Sequence, residues 1–460
     1  MPFGDPTMPF GDPSDPVQLA DRAIRRHVER VRSAVCDQDT AWGRSGWTRR
    51  RFLAGAGMAG VAAFGSQLVT TRAAFAAPTA AGAAADTDGN VLVVVFMRGA
   101  ADGLRILVPN SSELGLPYLK QVRPQLLPAA DSLIALPNAR GWALNPALRP
   151  MYDTLWSSGQ LAFVPGCSTP GISRSHFQAQ QYLEKGGSDT ATSGWLDRVL
   201  DGLGPGTTFR AIADGSAMPL SLAGDQPSIA MDGIGDFQFP GWDDILDSSK
   251  QALATLYRNV EGTLGEDVPL TMAALATADA VRAGDTGPQN GASYPDGSFS
   301  DSLKDLAAII RANVGMQVAT VDVGGWDTHT DEAGDLDRNL ASTAGALAAF
   351  MTDLGDELRA KVTVVVMTEF GRRVEMNASG GTDHGHGSVM WLLGGGLTGS
   401  GVYGNWTPLT AAALDQGDVP GVNNPFAVLG ELVQKRLGIG SLSTVFNGQP
   451  LTSLGVATTR

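Results

Sequence analysis

The sequence predicts an α/β fold, a largely parallel sheet layered with helices. Residues 91–96 (VLVVVF) form a continuous apolar, β-branched run with no alternation, the pattern of a strand covered on both faces. Similar runs recur along the chain with helical patterns between them, which places helices against the sheet. Apolar residues make up 43% and charged residues 17%, enough to build a large core and too apolar for a disordered chain.

Taken in order, the strands are expected at 91–96, 161–164, 316–323 and 362–368, with shorter ones at 389–393 and 402–403. Each is a β-branched or aliphatic run bounded by Gly, Pro or polar residues. Helical patterns cover 146–158, 176–185, 251–260, 270–282, 301–313, 337–358 and 424–437. The Gly-, Pro- and Asp-rich stretch 204–250 and the loop-like 284–300 suggest an insertion or small cap near 204–300. The mature chain has neither a Gly-rich phosphate loop nor a dinucleotide fingerprint, which disfavours a doubly wound nucleotide enzyme.

The amino-terminal region reads as a leader. MPFGDP occurs twice within residues 1–16, and a short helical pattern follows. Then come Arg49 and Arg50 ahead of Phe52-Leu53, an apolar Ala/Gly run, and Ala74-Phe75-Ala76. A basic segment, a weakly apolar stretch and an A-x-A site in that order describe a signal peptide. The apolar run is too short and too rich in glycine for a good membrane span. The paired arginines resemble the signal read by the twin-arginine translocase, which is therefore the expected partner in export. Residues 1–76 are expected to be leader, 77–90 a flexible tether, and 91–460 one catalytic domain. The expected location is periplasmic, cell-wall or extracellular, with no stable membrane span after cleavage.

Charge points the same way. The chain carries 33 Lys and Arg against 47 Asp and Glu, and the leader holds more than its share of the bases. An acidic body lacks the basic face that nucleic-acid binding needs, and no polybasic patch is present for an anionic membrane. Two cysteines, Cys36 and Cys167, cannot form a disulfide framework.

The chemistry is concentrated around the histidines. Of five, four lie in the mature chain, each beside Ser, Asp or Gly at an expected strand end or helix start. They fall in SRSHF (173–177), GGWDTH (324–329) and GGTDHGHG (380–387). Asp327 and His329 are two residues apart, a spacing that puts both on one face of extended backbone. His384 and His386 share it. Imidazole with carboxylate suits zinc or manganese better than calcium. Asp102 follows the first strand and Glu369 ends the strand 362–368, where a carboxylate is costly to bury unless paired or metal-bound.

RGAADGL (98–104), SRSHF, GGWDTH, TEFGRR (368–373) and GGTDHGHG, followed by LLGGG and VYGNW, resemble as an ordered set a family of twin-arginine-exported proteins of unknown function (DUF1501). That family is placed with the alkaline phosphatase and sulfatase superfamily. The resemblance implies an alkaline-phosphatase-like three-layer sandwich. It implies one or two divalent ions held by Asp102, Asp327, His329, Glu369 and His384 or His386, with Ser175 (or Ser173) as nucleophile. Arg174 or Arg372 is expected to clamp the oxygens of a small anionic ester. Three departures stand out. Ala100 takes the place of a second glycine, Phe370 stands where the superfamily has a histidine, and Glu369 replaces its aspartate. Ser175 also suits a helix N-cap. Two functions follow: an exported metal-dependent hydrolase of phosphate or sulfate esters, or a non-catalytic binding protein on the same fold.

Overall fold

The computed structural model describes residues 89–171, 173–215, 217–239, 246–257, 260 and 263–459. The expected leader, with Arg49, Arg50 and Cys36, and most of the expected tether lie outside the described residues.

The strands in chain order are β1 Val91–Met97, β2 Leu107–Pro109, β3 Ile134–Ala135, β4 Trp142–Leu144, β5 Leu161–Cys167, β6 Ala211–Asp214, β7 Ile229–Met231, β8 Val318–Val323, β9 Val362–Thr368, β10 Ser388–Gly394 and β11 Gly401–Val402. Eight of them form the central sheet in the order β11-β5-β10-β9-β1-β8-β6-β7, and β2-β4-β3 make a small second sheet. Every pairing in the central sheet is parallel except those of β10, which runs antiparallel to both β9 and β5. The carboxyl ends of β1, β5, β8 and β9 therefore share one edge with the amino end of β10.

The uninterrupted apolar character of β1 has a direct cause. Val91, Val93, Val95 and Met97 join one buried cluster, whereas Leu92, Val94 and Phe96 join another on the opposite face. The helices are α1 Gly103–Ile106, α2 Leu116–Val122, α3 Arg149–Leu155, α4 His176–Glu184, α5 Trp195–Gly202, α6 Leu246–Tyr257, α7 Thr263–Ala283, α8 Ser298–Arg311, α9 Glu332–Asp353, α10 Gly355–Lys361, α11 Pro425–Leu437 and α12 Leu442–Val445. Residues of α3, α7, α8 and α9 cover the first face, and residues of α4, α5, α11 and α12 cover the second. The result is a three-layer α/β sandwich.

Local chemistry sets the helix limits. In α11 the Asn424 side chain accepts from Phe426 N at 2.9 Å, Pro425 opens the helix, and Gly438 closes it with φ of 77°. The single helix expected over 337–358 is two, because Gly355 takes φ of 64° between α9 and α10. The helix expected from 146 opens as a 3-10 turn, Pro146–Leu148, before α3. Within the stretch expected as an insertion, β6 and β7 extend the central sheet beside β8. Each is so short that its glycine- and aspartate-rich surroundings mask it. Among the described residues no helix is long and apolar enough to cross a membrane.

Candidate metal centre

At the shared sheet edge, four loops bring together residues far apart in sequence. After β8 the chain passes through the buried Trp326 to Asp327, Thr328 and His329. Two successive short turns, Thr328 N to Trp326 O at 3.0 Å and His329 N to Asp327 O at 3.2 Å, replace the extended backbone expected there. Asp327 and His329 still meet, with Nε2 of His329 3.0 Å from Oδ1 of Asp327. Nε2 of His384, from the loop before β10, lies 3.1 Å from the same oxygen and 3.0 Å from Nε2 of His329. His176, the first residue of α4, places its Nε2 3.1 Å from that of His384 and 3.6 Å from Oδ2 of Asp327. His176, Asp327 and His384 each offer a ligand atom to one common point.

The far sides of the His176 and His384 rings are tethered, and that of His329 lies near a carboxylate. Nδ1 of His176 lies 2.7 Å from Oε1 of Glu369, Nδ1 of His384 lies 3.0 Å from the carbonyl of Arg174, and Nδ1 of His329 lies 3.5 Å from Oδ1 of Asp383. With Nδ1–H donating outward, the Nε2 lone pairs face one another and the carboxylate. Such a convergence is repulsive without a cation among the atoms. Metal–nitrogen bonds of about 2.0–2.1 Å in a tetrahedral shell put neighbouring ligand atoms roughly 3.3 Å apart, close to the separations here. Outward bonds from metal-bound imidazoles to carboxylate or carbonyl are the usual orienting arrangement. The donor set therefore fits a divalent metal ion.

Asp327 is kept ionised. Burial pushes its carboxyl up, but a hydrogen bond from Arg372, contact with His384 and the Arg372 charge outweigh it and hold it below the usual carboxylate range. Arg372 is fully buried. It donates to the carbonyls of Ala100, Gly99, Trp326 and Thr382 and to Oδ1 of Asp327, so it stands behind the centre and not in it. Burial alone would likewise raise Glu369. Its own backbone N–H, Gln180, His176 and the N–H of Gly99 hold it low.

The remaining expected site residues are placed as follows. The carboxylate of Asp102 caps α1 and takes a 2.5 Å bond from Arg123, away from the histidines. His386 points the other way from His384. Its Nε2 lies 3.3 Å from the carbonyl of Thr169 and its Nδ1 3.6 Å from Asp415. Two backbone bonds, Gly385 N to Gly371 O and Gly371 N to His386 O, pin the loop between the two histidines. A Cβ at Gly385 would lie 2.3 Å from the backbone of Arg372, so only glycine lets these strands of chain cross. Arg174 reaches away to the buried Asp418, with Nη2 to Oδ2 at 2.6 Å. Ser175 stands at the N-cap of α4, yet its side chain makes no cap bond. Ser173 accepts from the Ser175 N–H at 3.3 Å. Ala100 has φ of 61°, in the left-handed region that favours glycine.

Sequence reasoning noted His176 among the histidines but did not place it in the ligand set. The available signal was its position at the start of a helix, with Gln180 one turn later also reaching Glu369, at 2.8 Å. Phe370 stacks on His176 with ring centroids 5.0 Å apart and lies 5.2 Å from His384. Glu332 was missed altogether. It is buried beside Asp102 and accepts from the Thr382 hydroxyl.

Residues 164–420 match the family described as "Protein of unknown function (DUF1501)". The chain belongs to that family. Every residue of the histidine centre, together with Glu369 and Arg372, lies inside the DUF1501 match, whereas Asp102 precedes it. No curated protein matches the sequence. Among solved structures, this DUF1501 chain is similar to the zinc complex of the C-terminal periplasmic domain of EptC from Escherichia coli. That comparison has 12% identity and a TM-score of 0.32, covering 70% of this chain and 77% of that one. It is also similar to the lipoteichoic acid synthase LtaP from Listeria monocytogenes (10% identity, TM-score 0.24, 71% and 72% covered) and to BT1596, a 2-O GAG sulfatase (12%, 0.24, 80% and 76%). Superpositions this loose assign no role.

Proposed function

We propose that this DUF1501 protein is an exported metal-dependent hydrolase of phosphate or sulfate esters. The supporting observation is the convergence of His176, His384 and Asp327, joined by His329, with the far nitrogens of His176 and His384 tethered at 2.7 and 3.0 Å. These residues would hold zinc or manganese. A bound divalent ion supplies Lewis acidity, which neutralises charge on the transferred group and favours a deprotonated nucleophile. Arg372 keeps Asp327 ionised, and Glu369 keeps His176 turned inward. Ser175, one residue before His176 and uncommitted as a cap, is the proposed nucleophile. The half-exposed side chains of Asp327 and His329 leave the centre open to a small anionic ester, and export is assigned to the twin-arginine translocase.

A second reading has its own support. Arg174 and Arg372, the two expected anion clamps, are both engaged by carboxylates of the chain. A metal-binding protein without catalysis has no need of a free clamp.

Metal content and ester turnover of the full chain decide between the two. Asp327→Asn and His384→Ala are expected to lose bound zinc or manganese by at least about 10-fold in affinity. Turnover of aryl phosphate or sulfate esters is expected in the wild type and absent in Ser175→Ala, which keeps its metal. Metal bound with no turnover of any ester favours the non-catalytic reading, and unchanged metal content in both ligand variants sinks the centre itself.

A further inference from the structure

We infer that the centre holds one ion and that Glu369 is a positioning residue for His176, not a ligand. The inference rests on the metal-centre reading and sets its stoichiometry. The Glu369 side chain is fully buried, and its oxygen that faces His176 is already taken. Oε1 accepts from Gly99 N at 2.9 Å, from Gln180 Nε2 at 2.8 Å and faces Nδ1 of His176 at 2.7 Å, while Oε2 lies 2.9 Å from the Thr368 hydroxyl, which also reaches the carbonyl of Met97 at 2.8 Å. An oxygen of a carboxylate has about two acceptor sites, so an ion at the Glu369 oxygen that faces His176 would have to displace one of the three groups already on it. The next residue gives no donor. Phe370 is buried, and its ring stacks beside His176.

The other carboxylate and imidazole expected to serve a second ion also lie elsewhere. Asp102 is paired with Arg123, and His386 is turned towards Thr169 and Asp415. Among the described residues, His176, Asp327 and His384 form the only group of three or more donors that converges. A second ion would have to share Asp327, His329 or His384, with little else to draw on. The carboxylate of Glu369 acts one bond further out. It fixes the His176 tautomer and presents Nε2 to the ion.

Two measurements on the full chain test this. Equilibrium dialysis against cobalt(II) or zinc is expected to reach one equivalent per chain. Two tightly bound equivalents overturn the inference and leave the metal-centre reading standing, whereas none removes both. In the cobalt-loaded protein, Glu369→Gln should weaken affinity by roughly 10- to 100-fold, as loss of an orienting partner does. It should leave the visible absorption of the bound cobalt in place, whereas His176→Ala should change that absorption. A Glu369→Gln spectrum altered like that of His176→Ala would make Glu369 a ligand. Should Glu369→Gln fail to fold, the wild-type stoichiometry still decides.

Discussion

Asp102 and Glu332 are two buried carboxyls in contact, and they titrate in opposite directions. For Asp102 burial alone would raise the pKa, but the Arg123 charge and a bond with Glu332 hold it low. Glu332 is pushed up to about 8, first by burial and then by the charge of Asp102 and the bond to it. A carboxyl raised on folding binds a proton that the unfolded chain has already released. Its contribution is complete below its ordinary value of 4.5 and is lost as pH rises towards about 8. The Asp102 contribution runs the other way and is lost in acid as pH falls below its ordinary 3.8. Glu332→Gln keeps the shape and cannot ionise. The wild type is expected to lose stability between pH of about 5 and 8, read as a falling urea midpoint, and the variant to show a flatter profile there. Equal slopes in the two proteins would mean that Glu332 titrates normally.

At the scale of elements, the centre depends on four connections being held in register at one sheet edge. Arg372 does most of this. Its guanidinium collects carbonyls from the loop after β1, the loop after β8 and the loop before β10, and adds the carboxylate of Asp327. Arg372→Met would fit the space but leave those acceptors without donors in a buried setting, at a cost of about 1–3 kcal/mol for each group left unmet. A loss of at least about 3 kcal/mol in chemical denaturation is expected, together with weaker metal binding as Asp327 is released. A loss under about 1 kcal/mol would show that the loops hold one another without it. The crossing of Gly371 and Gly385 supports the same register, since a Cβ on either would meet backbone.

For the whole molecule, the proposed export bears on how the centre forms. Twin-arginine substrates cross already folded, which suits a fold whose centre is assembled from β1, β5, β8, β9 and β10 and exists only after the sheet has closed. Changing Arg49 and Arg50 together to lysine is expected to leave the precursor inside the cell, seen by fractionation and immunoblot. Normal export of the double variant would remove the twin-arginine route from the proposal.

The layered α/β class, the strand 362–368 and the helix ending at Leu437 were readable in the sequence because burial on two faces and helix capping are local patterns. Asp327, His329 and His384 were readable too, from residue type and from their position at strand ends. The rest was decided by tertiary structure. Spacing of two residues treated Asp327/His329 and His384/His386 alike, yet one pair meets and the other separates, because backbone bonds to Gly371 turn the loop between His384 and His386. His176 is 151 positions from Asp327 by number, and nothing local joins them. Strand order brings the ends of β5 and β8 to one edge. Whether a buried carboxylate is ligand, cap or support depends on which donors reach it first, and for Glu369 most of those donors come from distant segments.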